Sequence, residues 1–281
     1  MDLVDQLEQA IQNSLIAQIG ALPGAPGPGD PLRDVLLAHA TWRARQIPAR
    51  PRAVHRSAQL ISSEGALEHH DELNALIAMI VRGDDLTPHL SRGAQKINRR
   101  DRMLADWGIQ HLHFTPEGGP DVVFGVFRDD DAYLIGIYPH ESWALQEVVE
   151  IAVRSWPDAE IFQRLNYVIG TTQTLTDEER AEIRQAGVSA SIVEADGEVY
   201  VARAIGQTLD GSNVQDVMRI NMIMHQLRDL RENLDERLDG YRDHAEQETG
   251  QRPTGEWQPL VRGGSFGFVA DQIFVPIGHL D

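Results

Sequence analysis

Two apolar runs, Asp121–Phe127 (DVVFGVF) and Ala132–Tyr138 (AYLIGIY), are separated by only four polar residues, Arg128–Asp131. A loop that short turns the chain back beside itself, so the pair predicts an antiparallel β-hairpin. Both runs are apolar at nearly every position, which places the hairpin centrally in a sheet covered on each face. Pairing Phe127 with Ala132 puts Gly125, Ala132 and Gly136 on one face, where a helix or a ligand approaches closely. Ile109–Phe114 supplies a further strand ahead of the hairpin. Trp143–Trp156 supplies a helix after it, with Val148, Val149, Ala152 and Val153 as the buried stripe and Pro157 as the stop. The expected class is α+β, an antiparallel sheet with a central hairpin packed by helices.

The flanking sequence extends this picture. Leu73, Leu76, Ile77, Ile80 and Val81 share a face of a helix over residues 68–82, and residues 92–107 read as another helix closed by Gly108. Leu3, Leu7, Ile11, Leu15 and Ile19 recur every four positions, an amphipathic helix that the Pro/Gly run 21–31 must end. A second helix is expected from about Pro31 to Arg45, followed by an extended basic connector. Residues 1–57 thus read as an N-terminal helical arm with a basic linker, and residues 58–170 as the α+β core. Residues 171–281 hold a short strand pair around Asp196-Gly197, a long amphipathic helix and a C-terminal strand pair. A short strand is also expected at 167–170. The long helix, from Val214 to about His244, carries Ile220, Ile223, Leu227, Leu230, Leu234 and Leu238 in a narrow seam. Such a seam packs within its own domain or joins two copies into a homodimer. GGSFG near the C-terminus lacks the lysine and hydroxyl of a phosphate-binding P-loop and reads as a tight turn.

Charge and composition exclude several classes. With no cysteine there are no disulfides, no thiolate zinc sites and no cysteine nucleophile. The first turn of the chain carries Asp2, Asp5 and Glu8 where a secretory signal would be basic, and no apolar run is long enough to span a bilayer; cytoplasmic residence is the expectation, with no membrane partner. The formal net charge of −18 repels nucleic acid overall. Two basic stretches run against that balance. Arg43, Arg45, Arg50 and Arg52 form one; Arg92, Lys96, Arg99 and Arg100 form the other, with Lys96 the only lysine of the chain. They read either as solvated surface or as a path for RNA.

The residues with chemistry lie around the hairpin. On a strand, His111 and His113 point the same way, because side chains alternate with period two. His140 comes after the hairpin, just before the next helix. Neighbouring imidazoles ligate a metal ion or act as general acid and base in phosphodiester cleavage, and they also occur as plain structural residues. Glu141 offers a carboxylate beside His140, and Arg128 in the hairpin loop a guanidinium for a phosphate. This set, His111, His113, His140, Arg128 and Glu141, suits cleavage of RNA without any organic cofactor; whether a metal takes part stays open.

The run DRMLADWGIQHLHF, with the strand pair and IYPHESWALQEVVEIAVRSWP after it, resembles a group of uncharacterised bacterial proteins. They carry a D-x-x-L-x-D-W-x-I-x-H-L-H run and a later P-H…W segment. The resemblance covers about residues 54–160, with Gln110 standing where another histidine is expected. It implies a shared pattern and no particular reaction. The layout of helices and antiparallel sheet is also similar, as a fold only, to small RelE-like ribonuclease toxins. Two readings result: a ribonuclease-like phosphodiesterase of toxin or defence type, or a non-enzymatic interaction protein that self-associates through Ile220, Leu227, Leu230 and Leu234.

Overall fold

The computed structural model describes residues 1–63, 69–97, 99, 101–140, 142–168, 175–186, 188, 190, 192–202 and 212–280, save the side chains of residues 63 and 102. Glu141 and Arg100 lie outside the described residues. In chain order, α1 (Leu3–Ile19) and α2 (Leu32–Arg43) precede β1 (Ala53–Arg56), α3 (Ala58–Ser63) and α4 (His70–Arg82). Then α5 (Arg102–Trp107) leads into β2 (Gln110–His113), β3 (Asp121–Phe127), β4 (Asp131–Pro139) and α6 (Gln146–Ser155). After these come β5 (Phe162–Arg164), α7 (Asp177–Gln185), β6 (Ile192–Ala195) and β7 (Glu198–Ala202). The chain closes with α8 (Val214–Glu232), α9 (Leu234–Thr249), β8 (Gln258–Arg262), β9 (Ser265–Ala270) and β10 (Ile273–His279). The result is a mixed α+β protein whose described residues hold one mixed and two antiparallel sheets and no closed barrel. No helix among the described residues is long and apolar enough to cross a membrane.

Two compact units result: residues 1–40 with 216–281, and residues 41–215. In the first, Asp2 caps α1 by accepting from the Asp5 amide at 2.7 Å, and Asp5 accepts in return from the Asp2 amide. Leu7, Ile11 and Leu15 are fully buried in one core with Ile220, Ile223, Leu227 and Leu230 of α8 and Phe266 and Phe268 of β9. The N-terminal helix of the expected arm is thus part of a core shared with the C-terminal elements. An apolar stripe needs cover, each buried leucine being worth about 2 kcal/mol, and the end of the chain supplies it. The seam on α8 faces this same core, with Leu234 packed at its edge, so Ile220, Leu227, Leu230 and Leu234 are covered from within the unit. The expected single long helix is interrupted at Asn233 (φ −127°, ψ 32°), whose side-chain amide donates back to the Asp229 carbonyl and carboxylate. β8, β9 and β10 form an antiparallel meander, and GGSFG is its first tight turn, with positive φ at Gly263 and Gly264.

The second unit is built on a four-stranded sheet of order β1-β4-β3-β2. The hairpin pairs Phe127 with Ala132 as expected, but the register shifts between Phe124 and Gly125. That bulge reverses the facing of the residues beyond it. Ala132 and Leu134 face one core with Leu112, Val123 and the α4 leucines, whereas Tyr138 joins Phe124 and the α6 valines on the other side. Gly136, against the Tyr138 ring, is thus on the opposite face from Gly125. The basic connector also differs from expectation: residues 53–56 form β1, parallel to β4, making the sheet mixed. Arg52 makes this possible, its buried guanidinium donating to the carbonyls of Arg128, Pro48 and Arg50. The strand expected at 167–170 is not at Tyr167, which is exposed; β5 lies just before it, and 169–170 fall outside the described residues. The Asp196-Gly197 turn joins β6 to β7 with positive φ at both residues, as the primed hairpin turn requires.

Candidate metal centre

The site is assembled by one edge strand and the end of its neighbour but one. Leu112, fully buried on the far face, pins β2 so that His111 and His113 project on the near face opposite Phe124 and Val122. Tyr138 of β4 sits across β3 in the Val122 row, and His140, two residues on, keeps the same facing. Its backbone amide donates to the Pro120 carbonyl at 2.6 Å, which holds it beside the start of β3. The three rings meet, with centroids 5.1–6.1 Å apart, His113 and His140 stacked and His111 edge-on to both. One ligand nitrogen from each of His111, His113 and His140 lies within 4.8 Å of the others.

The residues before β2 complete the arrangement, and sequence reading missed them. The helix expected over 92–107 is really a single 3₁₀ turn, Arg92–Gln95, then a loop, then α5. Asp101 divides them: its carboxylate accepts from the Leu104 amide at 3.0 Å, which starts a new helix. Gly108, in the left-handed conformation, ends α5 and turns the chain into β2. The other Asp101 oxygen lies 3.4 Å from His111 Nδ1. His89 adds a second hold, its buried ring bonding the His113 carbonyl at 2.9 Å. The signal for Asp101 was in the sequence as an N-cap residue; nothing local marks His89.

Two of the ring nitrogens have no hydrogen-bond partner among the described residues: His111 Nε2 and His113 Nδ1, both buried. Leaving a buried polar atom unpaired costs about 1–3 kcal/mol, so two such nitrogens within one cluster of three imidazoles call for a ligand. Burial lowers the His111 pKa, helped by His140 and opposed by Asp101. Burial also lowers that of His113 to about 4, with His140, His111, Arg92 and His89 adding to the effect. Both rings are neutral at neutral pH, the state that binds metal. Asp101 beside Nδ1 of His111 favours the tautomer that keeps the proton there and leaves the Nε2 lone pair free.

This electrostatics has a measurable consequence for the metal-free chain. His113 is protonated below about 6.5 when unfolded but only below about 4 when folded. The unfolded state therefore binds more protons between those values, so stability is fully present above pH 6.5 and falls as the pH drops toward 4. Denaturant midpoints across this window are expected to decline in the wild type and to decline less in His113→Gln.

A hollow of about 470 Å³ opens beside the rings, lined by His113 and His140 together with Arg92, Lys96, Arg99 and Glu117. The remaining expected residues lie elsewhere. Arg128 is at the opposite end of the hairpin from His140, about 25 Å away at the strand rise, where it donates to the Glu160 carbonyl and lies over the Tyr133 ring. A loop at the far end of a β-ladder cannot reach a group at the near end. In the first basic stretch, Arg45 and Arg52 are buried and occupied by backbone carbonyls, Arg50 pairs with Asp129, and Arg43 is exposed on α2. Two of the four, Arg45 and Arg52, are thus internal scaffolding. Comparison with family models, with curated proteins and with solved structures finds no match, and the chemistry of the centre is read from its own atoms.

Proposed function

We propose that the chain is a metal-dependent hydrolase in which His111, His113 and His140 bind one divalent transition-metal ion. The single observation that carries this is the convergence of three imidazoles, two of them each with a buried nitrogen unpaired among the described residues. Three protein ligands leave a fourth position open, the pattern of catalytic rather than structural sites. The hollow beside His113 and His140 gives that position access to solvent and substrate. A bound ion there lowers the pKa of water to about 7 and so supplies a nucleophile at neutral pH.

The acid–base ribonuclease reading is weaker on the same grounds. Such a mechanism needs one protonated imidazole near neutral pH, and burial with mutual repulsion opposes a proton on His111 and His113. Ligation turns that same repulsion to use. The test is metal content: the full chain dialysed against zinc should retain one ion, and His111→Ala/His113→Ala should retain none. Equal retention by both would remove the proposal.

Asp101 has a positioning role here, acting through His111. Asp101→Asn keeps an N-cap residue, so folding stability should change by less than about 1 kcal/mol. Zinc affinity should fall about 10- to 100-fold, as for other carboxylates behind a ligating imidazole. A competition titration with a chelating dye reads the affinity, and thermal unfolding of the metal-free chain reads the stability. Loss of both together would mark Asp101 as a cap alone.

A further inference from the structure

Arg92, Lys96 and Arg99 line the hollow beside the histidines, and among the described residues none of the three has a carboxylate within ion-pair distance. Several other arginines of this acidic chain do pair with acids: Arg82 with Asp84, Arg154 with Asp196, Arg164 with Glu198, and Arg237 with Asp229. Among the described residues one carboxylate, Glu117, also lines the hollow, against the three cations Arg92, Lys96 and Arg99.

The loop that carries these cations is built to hold its shape. Arg45, 5% exposed, reaches under it and donates one guanidinium nitrogen to the carbonyls of Gly93, Lys96 and Arg99. A single buried cation thus gathers three carbonyls of one loop, a charge-assisted staple. Gly93 is required at the crossing, because a Cβ there would stand 2.8 Å from the Arg99 side chain. From the other side Arg92 donates to the Glu117 carbonyl at 3.2 Å. Arg45 thus holds the backbone that carries Lys96 and Arg99, and the Arg92 side chain is tied to the Glu117 carbonyl. A preorganised set of donors around a concavity is the arrangement that stabilises a multiply charged oxyanion.

From this we infer that the substrate of the proposed metal centre is a phosphate ester, whose phosphoryl oxygens are bound by Arg92, Lys96 and Arg99. The inference rests on the hydrolase reading and adds its substrate class. The reaction is hydrolysis of a P–O bond: the oxygen of water bonds to phosphorus, the ester P–O bond breaks, and the proton lost by water ends on the leaving alcohol. The lining contains no aromatic ring besides the imidazoles of His113 and His140. Base recognition in single-stranded nucleic acid relies on stacking against such rings, so this hollow reads charge and not base identity. Its volume, about 470 Å³, admits a nucleotide-sized ester.

The test uses the full chain, with and without zinc, titrated with inorganic phosphate by calorimetry, and with zinc content read on the same samples. Phosphate should bind the wild type, and Arg92→Ala/Lys96→Ala should weaken it about tenfold or more with zinc content unchanged. Lys96→Arg should restore most of the loss seen in Lys96→Ala, and Arg154→Ala, on the surface, should leave binding as it was. Competition by adenosine 5′-monophosphate and by a 5′-phosphorylated single-stranded oligoribonucleotide then separates a free ester from a nucleic-acid end; either one displacing phosphate supports the inference. A zinc-loaded chain that ignores phosphate, or binds it equally well without Arg92 and Lys96, overturns the inference and leaves the centre standing. Phosphate binding through Arg92 and Lys96 in a chain that never retains zinc supports the anion site and overturns the centre instead.

Discussion

Asp106→Ala is expected to destabilise the chain by about 3–5 kcal/mol. Asp106 and Arg184 are both completely buried, with Arg184 Nε 2.7 Å from the carboxylate. The same carboxylate oxygen accepts from the Ala190 amide at 3.1 Å. Arg184 also donates to the Trp143 carbonyl and lies 3.9 Å over the Trp107 ring. Burial lowers its pKa to about 10, chiefly against the pull of Asp106, so the guanidinium stays charged at neutral pH. Removing Asp106 leaves that charge without a counterion in the core. Replacing both partners, as Asp106→Leu/Arg184→Met, removes the uncompensated charge, and most of the stability should return. Chemical denaturation of the wild type and these two variants measures this, and an Asp106→Ala loss below about 1 kcal/mol would show the pair to be unimportant. The consequence reaches the centre, because α5 carries Asp106 near one end and is capped by Asp101 at the other.

His113→Leu is expected to separate stability from function. It removes a buried nitrogen that has no partner among the described residues, so the metal-free variant should be as stable as wild type or about 1 kcal/mol more stable. A histidine kept for structure would give the opposite result. Zinc at a thousand times its dissociation constant should stabilise the wild type by about 4 kcal/mol. That is a rise in Tm on the order of 10 °C for a unit of this size, and His113→Leu should show none of it. Strain of this kind, tolerated where a ligand relieves it, is typical of functional sites.

The hairpin, its register at Phe127 and Ala132, and the common facing of His111 and His113 were legible because a two-residue period leaves little freedom. The tight turns at Asp196-Gly197 and Gly263-Gly264 were legible from turn chemistry alone. What escaped depends on distant partners. The stripe on α1 says that something covers it, but not that the cover comes from the far end of the chain. Arg45 and Arg52 look like surface charge until their carbonyl acceptors are known. The bulge in the hairpin, which moves Gly136 to the other face, falls at Gly125, a strand glycine read instead as a place of close approach. In the centre, the three histidines were visible, while Arg128 was grouped with them by closeness in sequence to a hairpin whose two ends lie far apart.

The most direct measurement is the visible spectrum of the chain loaded with Co²⁺ in place of zinc. Three imidazoles and an open fourth position predict one equivalent bound, with the intense absorption of a four-coordinate ion, lost in His111→Ala, His113→Ala and His140→Ala alike. A weak six-coordinate spectrum that persists in all three variants would contradict the centre at His111, His113 and His140.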